Sequence, residues 1–247
     1  MTECRFGECD GSGFLVDTER METRECRCRP ERVAARRAKR LRTVIPRRYE
    51  GVSFDRNPVA TMDPYVVGLV RRYVEDIEAN LDEGRGLWLE GERSGTGKTT
   101  LAMLVSKAAI ERRRTVVIYS VPLLLARLRR TFADESEGSY SEIVEALTSV
   151  DLLHLDDLGA EKSSEWVLEQ LYTIVNARYE EEKAIVLTTN LKVDTLTEQI
   201  GARTVSRLME MCGDVVPIAD EVDHRRSHAP PEIVASGGPY RYGQLPT

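Results

Sequence analysis

The chain has 247 residues, 41% of them hydrophobic, and a net charge of −6, which gives room for one domain of ordinary size plus a small appendage. No apolar run reaches the roughly 18–20 residues of a membrane span, and the opening "MTECRFGECDG" has no signal-peptide-like apolar stretch, so membrane insertion and export are argued against and a cytoplasmic location is expected. Overall charge does not draw an acidic protein to nucleic acid, yet nine Arg or Lys residues against Glu31 alone lie between Arg29 and Arg48, a segment that can touch it locally.

Residues 1–29 are punctuated by Cys and Gly and are too short to hold a core unaided. Four of the five cysteines lie here, and without an export signal they favour metal or free thiols over disulfides. Cys4-x4-Cys9 has zinc-knuckle spacing, and "CDGSG" supplies the tight turn such a knuckle uses. Cys26-Arg-Cys28 is tighter than usual. The expectation is structural Zn²⁺ on Cys4, Cys9, Cys26 and Cys28, with reduced, unliganded thiols as the alternative. Residues 30–60 read as a basic helix, "PERVAARRAKRLR", and a Pro-rich connector, "IPRRYEGVSFDRNP". Residues 61–228 read as the main domain and 229–247 as a flexible Pro- and Gly-containing tail.

Within the main domain the predicted strands are 86–90, 115–120, 151–157, 184–189 and 214–219. All are short, rich in Val, Ile and Leu, and apolar on both faces, as strands covered by helices on two sides should be. Between them lie helices predicted over Thr99–Arg113, Pro122–Phe132, Ser141–Leu147 and Ser163–Glu182. This alternation predicts an α/β domain with a central, mostly parallel sheet flanked by helices.

The first strand runs into "GERSGTGKTT", nearly a phosphate-binding loop. The usual spacing puts the first glycine at position 92, which holds Glu92, while Gly91 stands one residue early. The loop still follows a strand and opens a helix. Ser94, Gly95, Thr96, Gly97, Lys98, Thr99 and Thr100 would cradle the phosphates: backbone N–H groups around the oxygens, Lys98 on the β- and γ-phosphates, and the Thr99 hydroxyl on Mg²⁺. The helix N-terminus adds its dipole. Glu92 would have to face away from the triphosphate.

Fifty-eight residues beyond Lys98, "DLLHLDDLG" ends an apolar strand in Asp156-Asp157, at the sheet edge where such ligands bind. Asp156 would hold Mg²⁺, directly or through water, and Asp157 would orient or deprotonate the attacking water. "IVLTTN" ends another strand in Thr188, Thr189 and Asn190, whose amide would bond the γ-phosphate or the water. "IGARTVSRLME" places Arg203 and Arg207 four apart on one helix face, either suited to complete a neighbour's site as an arginine finger. "ADEVDHRRS" offers Arg225 or Arg226 as a sensor. His154, His224 and His228 have no catalytic pattern, and Cys212 reads as a buried apolar residue.

This order resembles the AAA+ ATPases, and more closely the DnaC/IstB-like group that includes DnaC-like (DnaI-type) replicative helicase loaders. The resemblance runs from about Ile45 to Arg226 and rests on "SGTGKTTLA", "LLHLDDLGAEKSSEW", "LYTIVNARY", "VLTTNL" and "GARTVSRL". It implies Asp157 as the catalytic carboxylate, Asn190 as sensor I, Arg207 as the finger and Arg225 as a sensor II-like residue, with ATP/ADP and Mg²⁺ bound. The departures are the extra loop residue and an Asp where many AAA+ proteins carry Glu at position 157. The implied function is ATP-dependent loading of a DnaB-type hexameric helicase during DNA replication, with single-stranded DNA as a partner and self-assembly on the helicase. Small Cys-rich modules precede the ATPase domain in some DnaI-type loaders. In initiator-type relatives, a helical element at the place of 126–147 meets single-stranded DNA; here Arg127, Arg129, Arg130 and Phe132 would supply phosphate contacts and stacking, or simply a solvated face. The alternatives are an IstB-like transposition helper ATPase and a nucleotide-bound adaptor with little turnover.

Overall fold

The computed structural model describes residues 4, 6–17, 22–29, 32, 45–132 and 139–218. The predicted basic helix and tail, with Arg225 and Arg226, therefore lie outside the described residues. Near the N-terminus, β1 (Phe14–Asp17) and β2 (Glu22–Glu25) pair antiparallel as a hairpin. Cys4 and Cys9 precede it and Cys26 and Cys28 follow, so the hairpin folds the two halves of the cysteine set back on each other.

The main sheet has five strands: β3 (Leu87–Glu90), β4 (Val116–Ser120), β5 (Leu152–Leu158), β6 (Ala184–Thr189) and β7 (Val216–Pro217). Their spatial order is β4-β5-β6-β3-β7, and every neighbouring pair is parallel. Period-two alternation splits their side chains between two cores. Trp88, Leu153, Leu155, Ile185 and Leu187 enter one, and Leu87, Leu89, Leu152, Ala184 and Val186 the other.

Helices α1 (Pro64–Glu75), α2 (Ile77–Asp82) and α3 (Lys98–Glu111) cover the second core. Helices α4 (Val121–Arg130), α5 (Tyr140–Ser149), α6 (Glu165–Glu180), α7 (Val193–Ile200) and α8 (Ala202–Cys212) cover the first. Their starts follow local chemistry. Asp63 caps α1 by accepting from Tyr65 N–H, with Pro64 at the first turn. Ser139 and Glu142 form a reciprocal capping box on α5, and Ser164 caps α6.

The connector departs from the sequence reading, and Arg178 adds a feature that reading did not address. The Pro-rich connector is not a spacer: Val59 is buried, Val52 and Phe54 pack on the second core, and Lys107 of α3 donates to the carbonyls of Val52 (3.0 Å) and Glu50 (3.4 Å). The boundary expected at residue 61 thus falls inside this packed unit. Arg178, in the "NARY" segment, is fully buried, and its guanidinium donates to the carbonyls of Leu147, Thr148, Asp151 and Ala184 at 2.6–3.3 Å. It satisfies the carboxyl end of α5 and ties it to two strands. Burial pulls its pKa down to about 9 against the opposing pull of Asp151.

Candidate nucleotide and metal sites

At the end of β3 the chain runs beside β7. Gly91 N–H donates to Thr189 O (3.1 Å), and a Cβ at Gly91 would stand 2.6 Å from Ile218 O. The early glycine therefore belongs to the sheet edge, where a neighbouring backbone passes too close for any side chain. The extra residue turns outward: Glu92 pairs with Lys192 at 2.7 Å, both well exposed. Lys192 holds the Glu92 carboxyl below its ordinary range.

The loop then closes on its own lysine. Lys98 is buried, and its Nζ donates to Gly91 O (2.7 Å), Arg93 O (2.8 Å) and Thr96 Oγ1 (3.3 Å). Gly97 precedes α3 at φ 93°, a left-handed conformation, and the Met62 side chain occupies the space a Cβ would need. The first turn of α3 borders a cleft that is open to solvent.

Ser94, Gly95, Gly97, Lys98, Thr99 and Thr100 line this cleft, together with Asp157 and Asn190. Thr96 supports the lysine from within. Asp156 stands behind Thr99: its Oδ1 accepts from Thr99 Oγ1 (2.8 Å) and Thr188 Oγ1 (2.7 Å). Asp157 owes its position to a break in register. Leu155 pairs with Leu187 but Leu158 with Thr189, so β5 carries one extra residue against β6. Asp157 takes φ 57° there, a costly conformation for a non-glycine that clusters at functional sites. Its N–H donates to Thr188 Oγ1 (3.0 Å). Glu161 Oε2 accepts from Gly159 N–H (3.0 Å) and holds the turn that follows. Thr188 and Thr189 are fully buried struts, leaving Asn190 at the cleft.

Arg207 is not among the cleft-lining residues. It lies on α8 with its guanidinium 5.0 and 5.4 Å from the ring centres of Tyr172 and Tyr179 of α6, while Arg203 is exposed on the same helix. The sequence reading missed the other wall of the cleft: Arg48, Tyr49, Gly51, Val52, Asn57 and Pro58, all in the connector. Its aromatic residues, Tyr49 and Phe54, were the one sign that it packs.

The second site is the cysteine cluster. The four Sγ atoms of Cys4, Cys9, Cys26 and Cys28 lie within 4.8 Å of one another, with Cys4–Cys26 at 3.7 Å and Cys9–Cys28 at 3.5 Å. A tetrahedral Zn–S bond of about 2.3 Å sets sulfurs roughly 3.8 Å apart, so the donor set and spacing fit that ion. The backbone N–H of Cys9 is the chief cause that lowers the Cys4 thiol to about 6, toward the thiolate a metal needs. Burial raises the Cys28 thiol.

Lysine, threonine and paired carboxylates meeting at the carboxyl edge of a parallel sheet place the chain in the AAA+ class of P-loop nucleotide-binding folds. A family profile described as IstB-like ATP binding protein matches residues 68–226, and the chain belongs to that family. It is 26% identical over 138 residues to the replicative helicase loader DnaC of Escherichia coli (strain K12), covering 56% of this chain and 54% of that protein. It is 29% identical over 236 residues to the phage-like element PBSX protein XkdC of Bacillus subtilis (strain 168), covering 87% and 84%. A crystal structure of the DnaC helicase loader superposes with a TM-score of 0.59 at 27% identity, covering 70% of this chain and 99% of that one. The chain spans about half the length of the curated DnaC relatives it matches. Among the described residues no helix is long and apolar enough to cross a membrane.

Proposed function

We propose that this protein is an ATP-dependent loader of a replicative, DnaB-type hexameric helicase, using ATP binding and hydrolysis as its loading and release switch. The observation that carries the ATPase half is the chain Thr99–Asp156–Thr188–Asp157, which links the phosphate loop to two carboxylates through side-chain and backbone hydrogen bonds of 2.7–3.0 Å. Lys98 and the N–H groups of residues 94–100 bind the phosphates. Mg²⁺, held by Thr99 and Asp156, would neutralise charge developing on the β- and γ-phosphate oxygens. Asp157 accepts a proton from the attacking water or orients it, and Asn190 fixes its position opposite the γ-phosphate. Arg207, remote from its own cleft, serves a neighbouring copy as an arginine finger. Arg225 is a sensor II-like contact.

The helicase half is supported by the likeness to proteins named DnaC. The cysteine hairpin is a zinc-stapled partner-binding module ahead of the ATPase domain. The reading of single-stranded DNA as a partner is supported by Phe132, which is exposed with its ring centre 5.4 Å from that of Tyr140, and by Arg129, which lies 4.8 Å over Trp166. Exposed aromatic faces beside a guanidinium suit base stacking. Arg127 is partly engaged within the fold, its Nη1 donating to Tyr119 OH (2.7 Å).

The test is ATP hydrolysis with and without single-stranded DNA, beside pull-downs against a replicative helicase and a transposase. Stimulated turnover and helicase capture are expected. Capture of the transposase alone would support the transposition-helper reading that the family name favours. Lys98→Ala should abolish tight ATP binding, and Asp157→Asn should keep binding but lose hydrolysis; normal turnover in the latter rejects its role.

A further inference from the structure

One polar group behind the cleft has no place in that mechanism. His154 is fully buried on β5, where an aliphatic side chain would fill the same space without the cost of burying an imidazole. It stands two residues before Asp156 and so shares its face of the strand. Ser106, also fully buried, stands seven residues after Thr99, two turns along the same side of α3. The helix and strand therefore meet through two polar pairs. Ser106 Oγ lies 2.9 Å from His154 Nδ1, and Thr99 Oγ1 lies 2.8 Å from Asp156 Oδ1.

The other ring nitrogen, Nε2, is buried without a hydrogen-bond partner and lies 4.0 Å from Asp156 Oδ1. A fully buried ring whose Nε2 has no hydrogen-bond partner acts as a neutral dipole, since an unpaired buried cation would be far more costly. Its tautomer decides the sign of that dipole. If Nδ1–H donated to Ser106, a lone pair on Nε2 would face the carboxylate. If Ser106 donates to Nδ1, an N–H faces it instead, which is the favourable orientation beside a negative charge.

We propose that His154 is a positioning residue for the Mg²⁺-binding carboxylate: Ser106 fixes its Nε2–H tautomer, and that N–H is aimed at Asp156 Oδ1. The proposal rests on reading Asp156 as a Mg²⁺ ligand. At 4.0 Å the contact is beyond hydrogen-bond range and works as a directed dipole, stronger in buried surroundings than in water. Thr99, Thr188 and the ring N–H would all converge on Oδ1 and fix the orientation of the carboxylate that would hold the ion. An imidazole orienting a carboxylate ligand is the same outer-shell logic by which carboxylates orient histidine ligands.

Two measurements on the full chain test it. The chain has three histidines, so long-range ¹H–¹⁵N correlation of the labelled protein without nucleotide resolves the His154 ring, with His154→Gln assigning it. The Nε2–H tautomer is expected, and the Nδ1–H tautomer overturns the proposal. The second is binding of a fluorescent ATP analogue as Mg²⁺ is varied. His154→Leu should raise the Mg²⁺ needed for half-saturation roughly tenfold, the low end for an outer-shell partner, with metal-free nucleotide affinity unchanged. His154→Gln, which returns an N–H near the Nε2 position, should recover most of the loss. An unchanged Mg²⁺ requirement in His154→Leu sinks the idea. If that variant does not fold, Ser106→Ala, a substitution a buried helix tolerates, should show a smaller rise together with a mixed tautomer, and no change in either counts equally against it. Wild-type nucleotide affinity indifferent to Mg²⁺ would overturn the Asp156 assignment and with it the Mg²⁺ role of His154. The tautomer, read without nucleotide, separates that failure from a failure of the ring geometry alone.

Discussion

The cleft and the cysteine hairpin are the two places proposed to hold an ion, and they stand on opposite foundations. Around the cleft, two apolar cores on either face of a parallel sheet fix the strand ends, and the polar groups are placed by that packing. The hairpin has four short-strand residues on each side, and β2 is exposed along its length. Phe14 and Val16 of β1 are exposed as well. Among its described residues only Gly11, Gly13, Cys26 and Cys28 are buried. On the proposed assignments, an ion would be a late addition to the fold at Thr99 and Asp156 and much of what holds it together at the cysteines.

Each half of that contrast can be broken separately. The largest effect is expected at the hairpin: Cys9→Ser, or a chelator, should remove about one zinc per chain and unfold the module, since structural zinc carries roughly 10 kcal/mol of apparent binding energy in small domains. ATP binding by the separate domain should persist. Native protein purified without chelator and found metal-free would reject the zinc assignment. At the cleft, Arg207→Ala should leave the fold and ATP binding intact while hydrolysis falls by about 10³ or more. Mixing it with Lys98→Ala should restore part of the rate, because one mixed interface joins an intact loop to an intact finger. Turnover independent of protein concentration, with no recovery on mixing, contradicts a finger acting between copies.

Smaller effects sharpen the same comparison. Arg178→Met leaves four buried carbonyls without their donor, and a loss of about 3–5 kcal/mol is expected in urea unfolding of the main domain, with the hairpin's zinc content unchanged. A loss below about 1 kcal/mol would mean the carbonyls find other partners. Glu92→Ala removes an exposed ion pair and should cost less than about 1 kcal/mol with little change in ATP affinity. A large loss of affinity would show that the extra loop residue touches the phosphates.

Much of this architecture was legible in the residues. The β-rich runs gave all five strands of the parallel sheet, and the helices beginning near residues 99, 122, 141 and 163 lie within a few residues of those positions, because apolar runs and capping groups are local signals. Helices α1, α2 and α7 had no stated prediction. What stayed hidden was non-local. The connector 45–58 has a loop's composition and holds only a single 3-10 turn at Arg47–Tyr49, and nothing in its own residues says that Lys107 will hold its carbonyls. Gly91 looked like a misplaced loop glycine because the residue that crowds it, Ile218 just after β7, comes 127 residues later. The bulge that turns Asp157 into the cleft depends on register with β6, and the burial of Arg178 depends on four carbonyls from three elements. Nothing local in the sequence marks Trp166, which stands under Arg129 beside Phe132 and Tyr140.

The central claim is that nucleotide in this cleft governs grip on a hexameric helicase. The most direct measurement is light scattering on eluted complexes of this protein with a replicative hexameric helicase from the same host, in ATP, in ADP and with Lys98→Ala. The account predicts a stable complex with several copies per hexamer in ATP, dissociation or weakening in ADP, and no nucleotide response in Lys98→Ala. A complex indifferent to nucleotide, or no complex in any state, would contradict it.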